Sequence, residues 1–146
     1  MNFINLTATV FNIGKLPIAP GTWSSILSLI IWFFIPLSYI VQISIIILLL
    51  IIGKICSQKY SKKINKKDPS EIVIDEVVGM CISVYMLPHN LFLFFIAFLL
   101  FRFFDIFKPS IIYHVQRLPN GWGIMLDDVL AGFFTLSIMI GILFVL

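Results

Sequence analysis

Charge is confined to a few short parts of this chain. The ten Lys and Arg and seven Asp and Glu residues fall at Lys15, within residues 54–76 and within residues 102–128, so residues 16–53, 77–101 and 129–146 carry none. A soluble domain spaces charge along its surface at about 25% of residues. Here the charged share is 12% and the hydrophobic share 60%. Uncharged runs of this length belong in lipid. Intrinsic disorder is excluded by the apolar content, and a disulfide scaffold by the presence of only two cysteines. Cys56 and Cys81 lack metal-ligand or CxxC spacing and read as lipid-depth or core thiols. The length of 146 residues suits one unit, a single membrane-embedded domain over residues 1–146.

Breaks in the apolar runs predict the helices. Residues 2–13 place Phe3, Leu6, Val10 and Ile13 at helical spacing, as an interfacial helix would. The run 25–55 is too long for one span and is divided by Pro36, which predicts a hairpin with arms somewhat short of the ~20 residues a span requires. After the lysine-rich segment 57–67, Asp68-Pro69-Ser70-Glu71 has the order of an N-cap, a first-turn proline and an acid, so a helix is expected from there to about residue 87. Pro88-His89-Asn90 turns the chain, residues 91–107 return, Pro109 stops them, and Pro119-Asn120-Gly121-Trp122-Gly123 forms a loop. Residues 129–146 supply the last span. The expected fold is all-α, a polytopic membrane bundle of about five embedded helices plus the N-terminal interfacial helix.

Short lysine-rich loops stay cytoplasmic, which sets segment 54–67 inside and the turns at Pro36 and Pro88 outside. All seventeen charged side chains then share one side, in agreement with helix breaks that the prolines and apolar runs set independently of charge. Trp23, Trp32 and Trp122 read as interface anchors.

Five of the seven acids, Asp75, Glu76, Asp105, Asp127 and Asp128, stand at predicted helix ends on that side. A charged side chain at membrane depth costs about 2.5–3.5 kcal/mol on insertion scales and commonly serves function. Taken singly, each has a plain role: Asp127 or Asp128 as a helix cap, Asp105 as an ion-pair partner of Arg102 or Lys108, Asp75 and Glu76 as a solvated flank. Their convergence from three helix ends calls for a cation. Carboxylates at a wet interface are hard oxygen ligands suited to Mg²⁺, which completes its shell with water and substrate phosphate. Two isolated histidines, His89 and His114, give zinc poor support. Gly79 and Gly132 each follow an acid by four residues, where a small residue permits close helix approach. The segment from Gly14 to Ser25, with two prolines and three hydroxyls, predicts a shaped loop. Its backbone amides about Pro20, those of Gly21 and Thr22 among them, with the hydroxyls of Thr22 and Ser24 or Ser25, suit a phosphate oxygen.

Four motifs in register resemble the bacterial phosphatidylglycerophosphatase A family. Pro17-Ile18-Ala19-Pro20-Gly21-Thr22 is similar to its Pro-x-x-Pro-Gly-Thr loop, and Asp75-Glu76-x-x-Gly79 to its Asp-Glu-x-x-Gly helix. Asp105-Ile106-Phe107-Lys108-Pro109 and Gly123-Ile124-Met125-Leu126-Asp127-Asp128-x-x-Ala131-Gly132 resemble its third and fourth signatures. The chain departs from the family's Thr-x-Gly-Ser continuation, reading Thr22-Trp23-Ser24-Ser25. The resemblance implies Mg²⁺-dependent hydrolysis of phosphatidylglycerophosphate to phosphatidylglycerol and phosphate, at the cytoplasmic leaflet of a bacterial inner membrane. In the mechanism expected on this basis, Asp75, Asp127 and Asp128, with Glu76, hold the metal, and Glu76 or Asp105 orients or deprotonates water. Lys108 and the Thr22 loop, with Lys15 or Arg102, offset phosphate charge. The expected partners are a phospholipid and the membrane, with no nucleic acid. A phosphatase of another lipid phosphate is the alternative enzyme. A divalent-cation transporter is the alternative of a different class, but it requires ionisable groups deep in the spans, and residues 26–53 and 129–146 have none.

Overall fold

A computed structural model describes residues 2–146, and among these the chain is helical with no strand. Seven α-helices follow in order: α1 Phe3–Ala8, α2 Pro20–Phe33, α3 Tyr39–Ile64, α4 Ile74–Ser83, α5 Leu91–Phe107, α6 Ser110–Val115 and α7 Trp122–Val145, with a 3₁₀ turn at Ile13–Lys15. Helices α3 and α7, of 26 and 24 residues, run ~39 and ~36 Å at 1.5 Å per residue, enough to cross a ~30 Å hydrocarbon core. Both are apolar enough to do so, and most of each apolar stretch is left uncovered by protein. A soluble core helix is mostly buried, whereas Ile40, Ile47, Leu48 and Ile51 on α3 are exposed.

Helix boundaries depart from the sequence reading where tertiary contacts act. The second hairpin arm does not end near residue 55: α3 continues through the lysines to Ile64, because Cys56, Ser57 and Tyr60 bury a stripe that contacts α1, and Lys62 and Lys63 suit a helix C-terminus. The helix expected from Asp68 begins only at Ile74. The Val73 N–H donates to the Ala8 carbonyl at 3.0 Å, and the Glu71 backbone lies against Gly14 with no room for a Cβ. These contacts hold residues 71–73 outside helical pairing, so α4 has 10 residues, and it ends before Met86, whose φ is +57°. Helix α7 starts at Trp122, seven residues before the expected span. The left-handed pair Asn120 and Gly121 turns the chain directly into it. The interfacial helix stops at Ala8, since Val10, Phe11 and Asn12 have positive φ. Pro20 and Gly21, read as loop, form the first turn of α2, where a proline needs no N–H partner. Helix α6, between two prolines, has no counterpart in the sequence reading.

At the centre α4 crosses α7 backbone to backbone. A Cβ on Gly132 would meet the Gly79 carbonyl oxygen at 2.5 Å, and one on Gly79 would meet the Asp128 carbonyl oxygen at 2.6 Å. The close approach that small residues allow is therefore used here. Phe101 of α5, fully buried, seals the crossing against Gly79. Around it, the starts of α2, α4 and α7 and the end of α5 share one end of the bundle.

Candidate active site

The crossing sets the acids. Asp75 and Asp128 each precede their glycine by four residues, one turn towards the charged end, so two helices that touch at Gly79 and Gly132 bring these carboxylates face to face. Each helix repeats the same local arrangement: the Glu76 N–H donates to Asp75 Oδ1 and the Asp128 N–H to Asp127 Oδ1, both at 3.0 Å. Carboxylate oxygens of Asp75, Glu76 and Asp128 lie within 4.8 Å of one another. Asp105 joins them from α5, in the lining of the same cleft.

These groups line a cleft of about 350 Å³, together with Ala19, Pro20, Gly21, Asp68, Arg102, Lys108 and Asp127. Two cations face it, and each is already engaged. Lys108 Nζ is 2.6 Å from Asp127 Oδ2, and Arg102 Nη1 is 2.6 Å from Asp105 Oδ2. Burial works against the Lys108 charge, but the carboxylates of Asp127, Asp128 and Asp105 outweigh it and hold the ammonium above the ordinary lysine range. Among the described residues, Asp75, Glu76 and Asp128 form no ion pair. Glu76 Oε2 is buried without a hydrogen-bond partner. Converging carboxylates without an ion-pair partner, one with an orphaned oxygen, are a donor set that fits a hard divalent cation.

The phosphate loop is arranged differently from its sequence reading. Pro20 and Gly21 line the cleft, and the Ala19 backbone before them is left-handed at φ +46°. Gly21 is required by the site: a Cβ there would strike the Glu76 carboxylate and stand 3.3 Å from Arg102 Nη1. Thr22 and Lys15 do not line the cleft, and Lys15 is exposed. Ser25 and Ser24 are buried, and both hydroxyls donate to the Gly21 carbonyl, at 2.9 and 2.8 Å. They brace the first turn of α2 rather than offering donors to a ligand.

Of the four metal-ligand candidates, three converge and Asp127 engages Lys108 instead. A capping role for Asp127 and Asp128 is removed, since both lie inside α7, past its first turn. The Arg102–Asp105 pair forms as helical spacing allows, but within the cleft. Asp68, read as a helix cap, stands instead in the cleft lining. Its placement comes from the non-helical path of the segment after it, which no local sequence signal marks. His89, at the opposite end, packs on Phe33 and Phe94, and Trp32 is buried rather than at an interface, while Trp23 and Trp122 are exposed.

No solved structure matches the chain significantly. A protein named phosphatidylglycerophosphatase A from Haemophilus influenzae is 37% identical over 97% of this chain and 90% of its own. One of the same name from Escherichia coli K12 is 32% identical over 92% and 80%. A Bacteroides thetaiotaomicron protein provisionally named a phosphatidylinositol-3-phosphatase is 34% identical over 89% and 87%. The sequence model of the family described as phosphatidylglycerophosphatase A matches residues 6–143, and the chain belongs to that family.

Proposed function

We propose that this protein hydrolyses the phosphomonoester of phosphatidylglycerophosphate, releasing phosphatidylglycerol and inorganic phosphate as a step of phospholipid biosynthesis. The observation that carries the reading is the convergence of Asp75, Glu76 and Asp128, none of them in an ion pair, in a chain of this family. These three hold Mg²⁺, which supplies Lewis-acid polarisation of phosphoryl oxygens. Arg102 and Lys108 offset the charge that builds on those oxygens in a loose transition state. Each cation is oriented by its own acid, Asp105 or Asp127, outside the trio. Water forms the new P–O bond as the bond to the headgroup oxygen breaks. Glu76 or Asp105 takes the proton of the water, and the departing alkoxide is protonated in turn.

The membrane reading follows the same lines. Helices α2, α4 and α5, ~21, ~15 and ~26 Å long, are embedded beside the two longer ones. The lysine-rich end faces the cytoplasm of a bacterial inner membrane, with the cleft on that side. The name of the Bacteroides relative favours a second reading with the same chemistry, a phosphomonoester on an inositol headgroup.

Phosphate release from purified protein on defined lipids, with Mg²⁺ or chelator, tests the proposal. Release from phosphatidylglycerophosphate only with Mg²⁺, lost in Asp75→Asn with membrane insertion intact, is expected. Turnover by Asp75→Asn at the unsubstituted rate, or release confined to phosphatidylinositol 3-phosphate, overturns it.

A further inference from the structure

We propose that the groove between α2 and α5 seats one acyl chain of the lipid substrate, an inference that rests on the phosphatase reading and adds a specificity-determining surface to it. The groove encloses about 480 Å³ and is lined only by apolar side chains, among them Ile26, Ile30 and Phe34 of α2 and Leu91, Phe95 and Phe98 of α5. It belongs to the same two helices that carry part of the cleft. Helix α2 leaves the cleft at Pro20 and Gly21, and Ile26 opens the groove five residues on. Helix α5 approaches in the opposite sense: Leu91, Phe95 and Phe98 precede Arg102 by eleven, seven and four residues, a single helical face that ends on the cleft cation.

A ligand lying along this face meets an apolar trough ~12 Å long between Ile26 and Phe34, then a guanidinium, then the carboxylate trio. A glycerophospholipid with a terminal phosphomonoester has that order: acyl chain, phosphodiester, monoester. Arg102 lines the cleft one helical turn beyond Phe98, and its Nε is buried without a hydrogen-bond partner, a donor left over for the phosphodiester. Charge complementarity at one end and continuous apolar lining at the other commit the groove to a chain covalently tied to the headgroup in the cleft.

Two substitutions on α2 test this with the whole protein in detergent micelles. Ile30 and Ile31 are equally exposed at 55%, but only Ile30 lines the groove. Ile30→Trp is expected to raise KM for a long-chain phosphatidylglycerophosphate about tenfold while kcat holds. The same variant keeps its rate on a water-soluble phosphomonoester without acyl chains, and Ile31→Trp keeps both values. An unchanged long-chain KM in Ile30→Trp, an equal loss on both substrates, or the same KM rise in Ile31→Trp overturns the groove alone. No release from either substrate by the unsubstituted protein overturns the phosphatase reading and the groove with it.

Discussion

The two ends of the bundle are held together by opposite means. At the charged end, four helix termini gather six acids and two cations in one cleft, and three of the acids face one another without a counter-ion. The other end carries no charged side chain. There Gln42, fully buried in α3, accepts from the Met86 N–H at 2.8 Å and donates to the Pro36 carbonyl at 3.2 Å, tying both turns to one side chain. The rings of Phe33, His89 and Phe94 pack on one another at the same end. One end ties its turns through a satisfied side chain and packed rings, with only the Trp32 Nε1 and His89 Nε2 atoms, among the described residues, buried there without a partner, and it adds to stability. The other leaves like charges together and draws on stability gained elsewhere, as sites built for a ligand do.

The contrast is sharpest at Asp128. Asp128→Asn is expected to reduce phosphate release about 1000-fold, ~4 kcal/mol of barrier. In chelator the same change removes one of three converging charges, so thermal unfolding in detergent should show a gain of about 1–2 kcal/mol. Added Mg²⁺ should stabilise the unsubstituted protein more than the variant, because only the former keeps the full ligand set. A variant that is inactive and less stable in chelator breaks the contrast, since Asp128 is then a structural group.

Gln42→Leu probes the neutral end. It removes two part-buried hydrogen bonds, to the Met86 N–H and the Pro36 carbonyl, a cost of about 1–2 kcal/mol. Unfolding should come earlier by that amount while kcat and KM of the folded fraction stay unchanged. Lost turnover in a folded variant would mean that the two ends are coupled through α3.

How far this division was legible in the sequence follows from what fixes each part. The grouping of charge at one end was readable because helices alternate direction and lipid excludes charge whatever the detailed packing. Residues 91–107 emerged as α5 because Asn90 caps one end, accepting from the Phe92 and Leu93 N–H groups, and Pro109 closes the other. The glycine spacing that lets α4 meet α7 was visible for the same local reason. The starts of α4 and α7 were not. The first is delayed by a hydrogen bond from Val73 to Ala8, 65 positions away in sequence, and the second is advanced by a left-handed turn in an apparent loop. Those two shifts decide which acids pair with lysine, which converge and which cap nothing. The Lys108–Asp127 bridge joins different helices, so no periodicity within one helix announces it.

Gly21 gives the smallest expected effect and the most local test of the charged end. It occupies the second position of α2, where alanine is the better helix former by about 1 kcal/mol. Helix stability alone would therefore favour Gly21→Ala. A Cβ there collides with the Glu76 carboxylate and stands 3.0 Å from its Cδ, and a flexible carboxylate yields by swinging out of the trio. The variant should unfold no earlier than the unsubstituted protein yet lose about tenfold in kcat, as small displacements of catalytic groups do. Raising Mg²⁺ should recover part of the loss if the displaced oxygen is a metal ligand, and none if Glu76 serves only to take the proton from water. Full activity at ordinary Mg²⁺ would show that Glu76 does not need its place against α2, and would leave Asp75 and Asp128 to hold the cation without it.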